Sequence, residues 1–141
     1  MATLITLNSF SLELKITPTE FDLPVFSKKE RVTLKSLNNK KTLINFWATW
    51  CTSCIQEMPE LHHLMDSDKK GEYNFIAISA GDTKRKIKKF VKKHGFRYKI
   101  LMDKSREVSK KWGIDSLPIT VILDKNRKVI FKGIRPPKSL L

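Results

Sequence analysis

Residues 43–54 read Leu-Ile-Asn-Phe-Trp-Ala-Thr-Trp-Cys-Thr-Ser-Cys, and this stretch decides the fold. The nearly continuous apolar run at 42–48 predicts a strand that is buried on both faces. The residues from Cys51 to about Met65 are predicted to form a helix. Cys51 and Cys54 are the only two cysteines of the chain, and they lie where the strand ends and the helix begins.

This placement of the two cysteines favours dithiol redox chemistry. A helix N-terminus carries unpaired N–H groups and a partial positive charge, which stabilise a thiolate and lower the thiol pKa. Cys51, at the helix start, is expected to be the exposed and activated nucleophile. Cys54 lies one turn further along the same side, within disulfide reach, and is expected to be buried and to resolve a mixed disulfide formed by Cys51.

The cysteine pair has three other interpretations. A zinc site needs four ligands, and His62 and His63 lie roughly 12 Å or more from Cys54 along an unbroken helix. Attachment of a c-type haem needs a histidine directly after the second cysteine, where this chain has Ile55. An inert pair of core thiols is the remaining alternative. No metal or other cofactor is therefore predicted.

The rest of the sequence alternates strand and helix patterns, as in an α/β domain with a mixed sheet. The 141 residues are expected to form a single domain. A half-buried strand is predicted from Ser9 to Thr17, and a turn-rich stretch follows it to Pro24. The further predicted strands lie at 32–34, 73–80, 98–102, 119–123 and 128–132, and the last two are joined by a hairpin turn at 124–127. The further helices are predicted at 83–94 and 105–112, and Gly95 and Gly113 end them.

The net charge of +14 raises the question of a polyanionic partner. Lysine supplies most of the basic residues, which weakens the case for specific nucleic-acid binding, since arginine is the better base and phosphate reader. The densest basic run, at 84–93, places Ile87, Phe90 and Val91 on one helix face and seven basic residues on the other. That outer face is either ordinary solvated surface or a docking patch for an acidic partner, a polyanion or an anionic membrane.

Residues 43–61 resemble the active-site segment of the thioredoxin superfamily, most closely its TlpA/ResA/CcmG branch with the pattern FWATWCxPCxxEMPxL. A second matching motif, Gly113-Ile-Asp-Ser-Leu-Pro-Ile-Thr120, is where these proteins carry a cis-proline facing the dithiol. The resemblance covers about residues 18–134. It implies a thioredoxin-like fold, in which a central mixed β-sheet is flanked by helices, with an N-terminal β extension in this chain.

The resemblance also assigns roles to individual residues. It implies that Cys51 and Cys54 are catalytic and that Trp50, Leu117 and Pro118 bind substrate, the backbone of Leu117 pairing with an extended substrate segment. Simple packing is the alternative for Trp50, and an ordinary trans turn proline the alternative for Pro118. Pro59 would either kink the first helix or start a second one.

The chain departs from the family pattern at three positions. Ser53 stands where a proline commonly precedes the second cysteine, and Ile119 where CcmG-type proteins usually carry a glutamate. Asn45 stands where thioredoxin has a buried aspartate that assists proton transfer. Because Asn cannot titrate, Glu57, three residues after Cys54, is a candidate proton acceptor. The alternative interpretations are an acid in the first turn of the helix and a simple surface residue.

These observations predict a thiol–disulfide oxidoreductase that acts on disulfides of partner proteins. By resemblance it is a periplasmic or extracytoplasmic reductase of the cytochrome c maturation type, a monomer re-reduced by a membrane or soluble thiol donor. No secretory signal peptide is visible, and a leader or membrane tether outside this chain is left open. The alternatives are a dithiol oxidase that introduces disulfides in periplasmic proteins, and a basic binding module on the same scaffold.

Overall fold

A computed structural model describes residues 14–37 and 39–141. The predicted strand at 9–17 falls largely outside these residues, and its described part, 14–17, is not in a strand. The backbone N–H of Thr17 donates instead to the carbonyl of Trp112, at 3.1 Å, in the turn after the third helix. Leu14 and Ile16 still pack against the core, so residues 14–17 are held by these side-chain contacts and the Thr17 hydrogen bond.

The described residues form seven strands, three α-helices and one 3₁₀ turn at Leu34–Ser36. In chain order the elements are β1 (Asp22–Pro24), β2 (Arg31–Thr33), β3 (Lys41–Trp47), α1 (Thr52–Ser67), β4 (Tyr73–Ala80), α2 (Lys84–His94), β5 (Lys99–Asp103), α3 (Glu107–Lys111), β6 (Ile119–Leu123) and β7 (Val129–Gly133). The structure thus corrects the turn predicted up to Pro24, because residues 22–24 pair with β2 as the N-terminal β extension.

The main sheet has five strands in the order β5-β4-β3-β6-β7. β3, β4 and β5 run parallel, whereas β6 is antiparallel to β3, and β7 pairs antiparallel with β6. This is the mixed sheet predicted from the sequence. Because β3 and β4 are parallel, the residues that follow both strands lie at the same edge of the sheet. That edge carries the two cysteines.

Alternate residues of β3 serve the two faces of the sheet, as a pleated strand requires. Ile44 and Phe46 point into one core cluster, which also holds Trp112. Leu43 and Trp47 point into the other, beneath α1 and α2. All four side chains are at most 2% exposed, so the central strand is buried on both faces as predicted.

The first and second helices lie on the same side of the sheet. α2 buries Ile87 and Phe90, and Phe90 packs on Trp47 with 4.7 Å between ring centroids. Its seven basic residues are all exposed, in agreement with the predicted amphipathic pattern. Gly95 ends α2 in the left-handed conformation, with φ of 66°, which glycine adopts without a steric penalty.

The third helix is shorter than predicted, because it begins at Glu107 and not at Ser105. Arg106 adopts a left-handed backbone, with φ of 64°, which cannot continue a right-handed helix. The carboxylate of Asp103 accepts hydrogen bonds from the N–H groups of Val108 and Ser109, at 3.3 and 2.8 Å. Asp103 therefore fixes the first turn from outside the helix. No helix within residues 14–37 and 39–141 is long and apolar enough to cross a membrane.

Candidate active site

The two cysteines form a disulfide at the N-terminus of α1, with 5.3 Å between their Cα atoms. Cys51 is the N-cap residue, and its Sγ accepts a hydrogen bond from the backbone N–H of Cys54 at 3.2 Å. The sulfur of Cys51 thus lies against the N–H groups that a helix start leaves unpaired. Such N–H groups stabilise a thiolate when a disulfide at this position is reduced.

The expected exposure of Cys51 is wrong for this disulfide-bonded form. Cys51 is 6% exposed, hardly more than Cys54 at 4%. Its sulfur is bonded to Cys54, and the residue belongs to the apolar cluster beneath α1. The predicted burial of Cys54 is confirmed.

Trp50 is the exposed side chain beside the disulfide. It is 63% exposed, whereas Trp47, three residues earlier, is buried in the core. The packing interpretation of Trp50 is therefore wrong, since an indole at this exposure contributes little to the core. An aromatic ring held in water next to a disulfide is available for contact with another molecule.

A buried carboxylate holds the loop that leads to Cys51. Asp82 follows β4 and accepts hydrogen bonds from the N–H and the hydroxyl of Thr49, at 2.8 and 2.7 Å, and from the hydroxyl of Ser79 at 2.9 Å. It is only 2% exposed. Sequence reasoning missed Asp82, although an acid directly after a buried strand, at the sheet edge that carries the cysteines, was a usable signal.

Glu57 lies one helical turn after Cys54 and faces the interior. It is 1% exposed, so its interpretation as a surface acid is wrong. Its Oε1 accepts a hydrogen bond from Nδ2 of Asn45 at 2.9 Å, and the same amide group donates to Oγ1 of Thr120 at 3.2 Å. Burial raises the pKa of Glu57 to about 7, although the hydrogen bond from Asn45 opposes the rise.

The loop before β6 lies over this site. The Leu117–Pro118 peptide bond is cis, as predicted, and Leu117 packs against the cluster that contains both cysteines. Pro118 is buried and Leu117 half-buried. The loop thus brings the second predicted motif to the disulfide.

Two shallow pockets share Ser116 and Leu117. One, of about 240 Å³, lies between Ser53, Glu57 and Pro118 and is also lined by Ile134 and Arg135. The other, of about 330 Å³, lies beside Trp50. Sequence reasoning did not single out Arg135, which lines the first pocket and whose positive charge lowers the pKa of Glu57.

Pro59 lies inside α1, which continues without interruption to Ser67. The alternative that Pro59 starts a second helix is therefore wrong. Pro59 has no N–H to donate to the carbonyl of Ile55, so one intrahelical hydrogen bond is missing in the turn that carries Glu57.

The described residues provide no ligand set for the zinc interpretation. Nε2 of His62 accepts a hydrogen bond from the backbone N–H of Arg97 at 3.1 Å. Within residues 14–37 and 39–141, no three His, Cys, Asp or Glu side chains lie close enough together to hold a metal ion.

Comparison with known proteins places this site in a family. The profile of the AhpC/TSA family matches residues 16–132, which include both cysteines and Pro118. The chain belongs to the AhpC/TSA family. Among curated members of this kind, ResA from Bacillus thuringiensis subsp. konkukian (strain 97-27), named a thiol-disulfide oxidoreductase, is 35% identical over 113 residues. The match covers 79% of this chain and 65% of that protein, so the chain spans about two thirds of the length of this relative.

Solved structures show the same architecture. The thiol-disulfide oxidoreductase from Bacteroides fragilis NCTC 9343 matches with a TM-score of 0.76 and 26% identity, over 86% of this chain and 92% of that chain. A secreted Mycobacterium tuberculosis disulfide oxidoreductase, described as homologous to E. coli DsbE, matches with a TM-score of 0.71 and 19% identity, over 86% and 87%. The predicted thioredoxin-like fold is thereby confirmed.

Proposed function

We propose that this chain is a thiol–disulfide oxidoreductase that exchanges disulfides with partner proteins through Cys51 and Cys54. The observation that carries the proposal is the Cys51–Cys54 disulfide at a helix N-terminus, beside the exposed ring of Trp50. The names of the relatives from Bacillus thuringiensis and Bacteroides fragilis agree with this activity. Cysteine chemistry of this kind needs no cofactor, because the two thiols carry the two electrons themselves.

Reduction of a partner takes two exchange steps. The Cys51 thiolate attacks one sulfur of the partner's disulfide, so an intermolecular S–S bond forms and the other partner sulfur leaves as a thiolate. The Cys54 thiolate then attacks Sγ of Cys51, which restores the intramolecular disulfide and releases the second partner sulfur as a thiolate. The partner gains two electrons and the Cys51–Cys54 pair loses two. The N–H of Cys54, 3.2 Å from Sγ of Cys51, favours the thiolate in the first step.

The second step requires Cys54 to lose a proton inside the protein. Glu57 lies on the next turn of the same helix, and its carboxyl group has a pKa of about 7. A group with that pKa both accepts and returns a proton near neutral pH. We therefore assign Glu57 the role of proton acceptor for Cys54, in place of the aspartate that Asn45 replaces.

The surface around the disulfide fits an extended segment of a partner protein. Leu117 and Ser116 lie between the two pockets, so a segment that pairs with their backbone would place alternate side chains on either side. In this proposal Trp50 covers one side of that segment, and Pro118 sets the backbone direction at the dithiol.

We place the chain among extracytoplasmic reductases, with cytochrome c maturation as the specific process. The support is the ResA name of the 35% identical relative and the secreted relative related to DsbE. A membrane or soluble thiol donor would re-reduce Cys51–Cys54. The direction of electron flow is decided by the reduction potential, measured by equilibration with glutathione. Dithiols of this type range from about −270 mV for reductants to about −120 mV for strong oxidants.

Trapping with Cys54→Ser tests the proposal directly. The variant completes the first step but not the second, so it should accumulate as a mixed disulfide between Cys51 and its substrate. Mass spectrometry then identifies the partner, and an apocytochrome c would support the maturation role. Cys51→Ser, which keeps Cys54, is the matched control and should trap nothing. Equal yields from the two variants would refute the assignment of Cys51 as the attacking thiol.

A further inference from the structure

We propose that the pocket beside Trp50 binds an acidic side chain of the substrate segment, through the guanidinium group of Arg106 with the ammonium group of Lys110 nearby. The inference rests on the proposed function, because it concerns which protein disulfides the Cys51–Cys54 pair prefers. It predicts that preferred substrates carry an acidic residue close to the cysteine that Cys51 attacks.

The pocket combines an apolar wall with basic side chains. Trp50, Ile114 and Leu117 supply the apolar part of its lining. Arg106 and Lys110 supply two positive charges. Asp115 also lines the pocket, so its formal charge is +1 in the absence of substrate.

Arg106 is held over the pocket by its backbone. The carbonyl of Asp103 accepts hydrogen bonds from the N–H of Arg106 at 3.1 Å and from the N–H of Gly81 at 2.9 Å. One carbonyl therefore joins the residue after β4 to the residue before α3. Arg106 takes a left-handed backbone, with φ of 64°, at this point.

The side chain of Arg106 occupies space that only a glycine leaves free. Gly81 has a φ of 92°, and a Cβ placed on it would lie 2.5 Å from Nε of Arg106. The guanidinium group therefore crosses the backbone at Gly81, next to Asp82, which holds the loop before the cysteines. The basic group is thus positioned by the same sheet edge that positions the dithiol.

The charge of Arg106 is available to a ligand. Within residues 14–37 and 39–141, Arg31 and Arg97 form ion pairs with aspartates, whereas Arg106 and Lys110 form none. Asp115, in the same pocket, is likewise not ion-paired with either group. A guanidinium group binds a carboxylate through two parallel N–H···O bonds, which suits an Asp or Glu side chain.

The position of the pocket favours a substrate side chain over a free anion. The pocket shares Ser116 and Leu117 with the groove over Ser53 and Glu57, where the substrate segment is proposed to pair. A side chain that leaves that segment toward Trp50 enters a pocket lined by both the apolar wall and Arg106. An acidic side chain close to the target cysteine satisfies both parts of the pocket.

The test uses two peptides that each contain one disulfide and differ only by Glu or Gln next to the target cysteine. The second-order rate constant of each peptide with the reduced protein is divided by its rate constant with dithiothreitol, which removes the intrinsic reactivity of the disulfide. We expect the Glu peptide to react roughly fivefold faster at low ionic strength, as for an exposed ion pair. The preference should disappear at about 1 M salt, where the Debye length is about 3 Å.

Arg106→Gln should abolish the preference, and Lys110→Gln, on the exposed face of α3, should reduce it. Arg127→Gln is the matched control, because Arg127 also has a positive φ, of 65°, but lies in the turn between β6 and β7. Arg127→Gln lowers the net charge of +14 by one, as Arg106→Gln does, so it measures the effect of net charge alone. It should keep the preference for the Glu peptide. A thermal melt of each variant establishes that it is folded.

The outcomes separate the inference from the proposed function. A Glu preference that is absent in the native chain, or that is unchanged in Arg106→Gln, overturns the inference while disulfide exchange continues. If the native chain reduces neither peptide faster than Cys51→Ser does, the proposed function itself fails.

Discussion

The buried carboxyl group of Glu57 predicts a loss of stability as the pH rises. Its pKa is about 7 in the folded protein, against 4.5 for an ordinary glutamate. The folded state therefore binds the proton more tightly than the unfolded state does. The resulting stabilisation is complete below about pH 4.5 and is lost as the pH rises to about 7. The difference between these two pKa values corresponds to about 3 kcal/mol in the free energy of unfolding.

Glu57→Gln isolates this contribution. The Gln side chain keeps a carbonyl oxygen to accept the hydrogen bond from Asn45, but it cannot ionise. Urea unfolding of both oxidised proteins, from about pH 4 to about pH 8, gives the free energy of unfolding at each pH. The cysteines are disulfide-bonded under these conditions and do not titrate. The free energy of unfolding of Glu57→Gln minus that of the native chain should increase by about 3 kcal/mol from the lowest to the highest pH.

Glu60→Gln is the matched control, since Glu60 is an exposed acid on the same helix. Its negative charge raises the pKa of Glu57, so removing it should move the loss of stability to slightly lower pH without abolishing it. Subtracting the native profile cancels every titrating group that the proteins share. If the profiles of the native chain and Glu57→Gln run parallel, the carboxyl group does not carry the buried proton and the reasoning is refuted.

Two further substitutions test the loop and the ring beside the disulfide. Asp82→Asn removes a charged acceptor of three hydrogen bonds, so urea unfolding should show a decrease of about 2 kcal/mol in the free energy of unfolding. An unchanged urea midpoint would contradict the anchoring role of Asp82. Trp50→Ala should change stability by no more than about 0.5 kcal/mol, because the ring is mostly exposed, yet it should slow exchange with protein disulfides more than exchange with a small disulfide. Equal slowing of both reactions would contradict a role for Trp50 in binding the partner chain.

The elements predicted best are those whose signal is local. β4 and β6 were predicted with the bounds they have, since each is a largely apolar run, flanked by Glu72 and Gly81 in β4 and by Pro118 and Asp124 in β6. The start of α3 was misplaced because it depends on Asp103, in the preceding strand. The sequence left the burial of Glu57 open for a similar reason, since it too depends on residues outside its own helix. Its partner Asn45 is twelve residues away, and Thr120, which completes the network, is seventy-five residues from Asn45.

The site keeps a titrating group although Asn45 stands where thioredoxin has an acid. In the resemblance to thioredoxin, the position of Asn45 on the central strand carries the buried aspartate. Here the amide at that position donates to Glu57 on α1, so the acid has moved from the sheet to the helix that bears Cys54. Burial alone would hold this carboxyl group protonated, and the Asn45 amide and the positive charge of Arg135 both oppose that effect. The balance sets a pKa of about 7, so the proton acceptor that we propose for Cys54 lies on the helix and not on the strand.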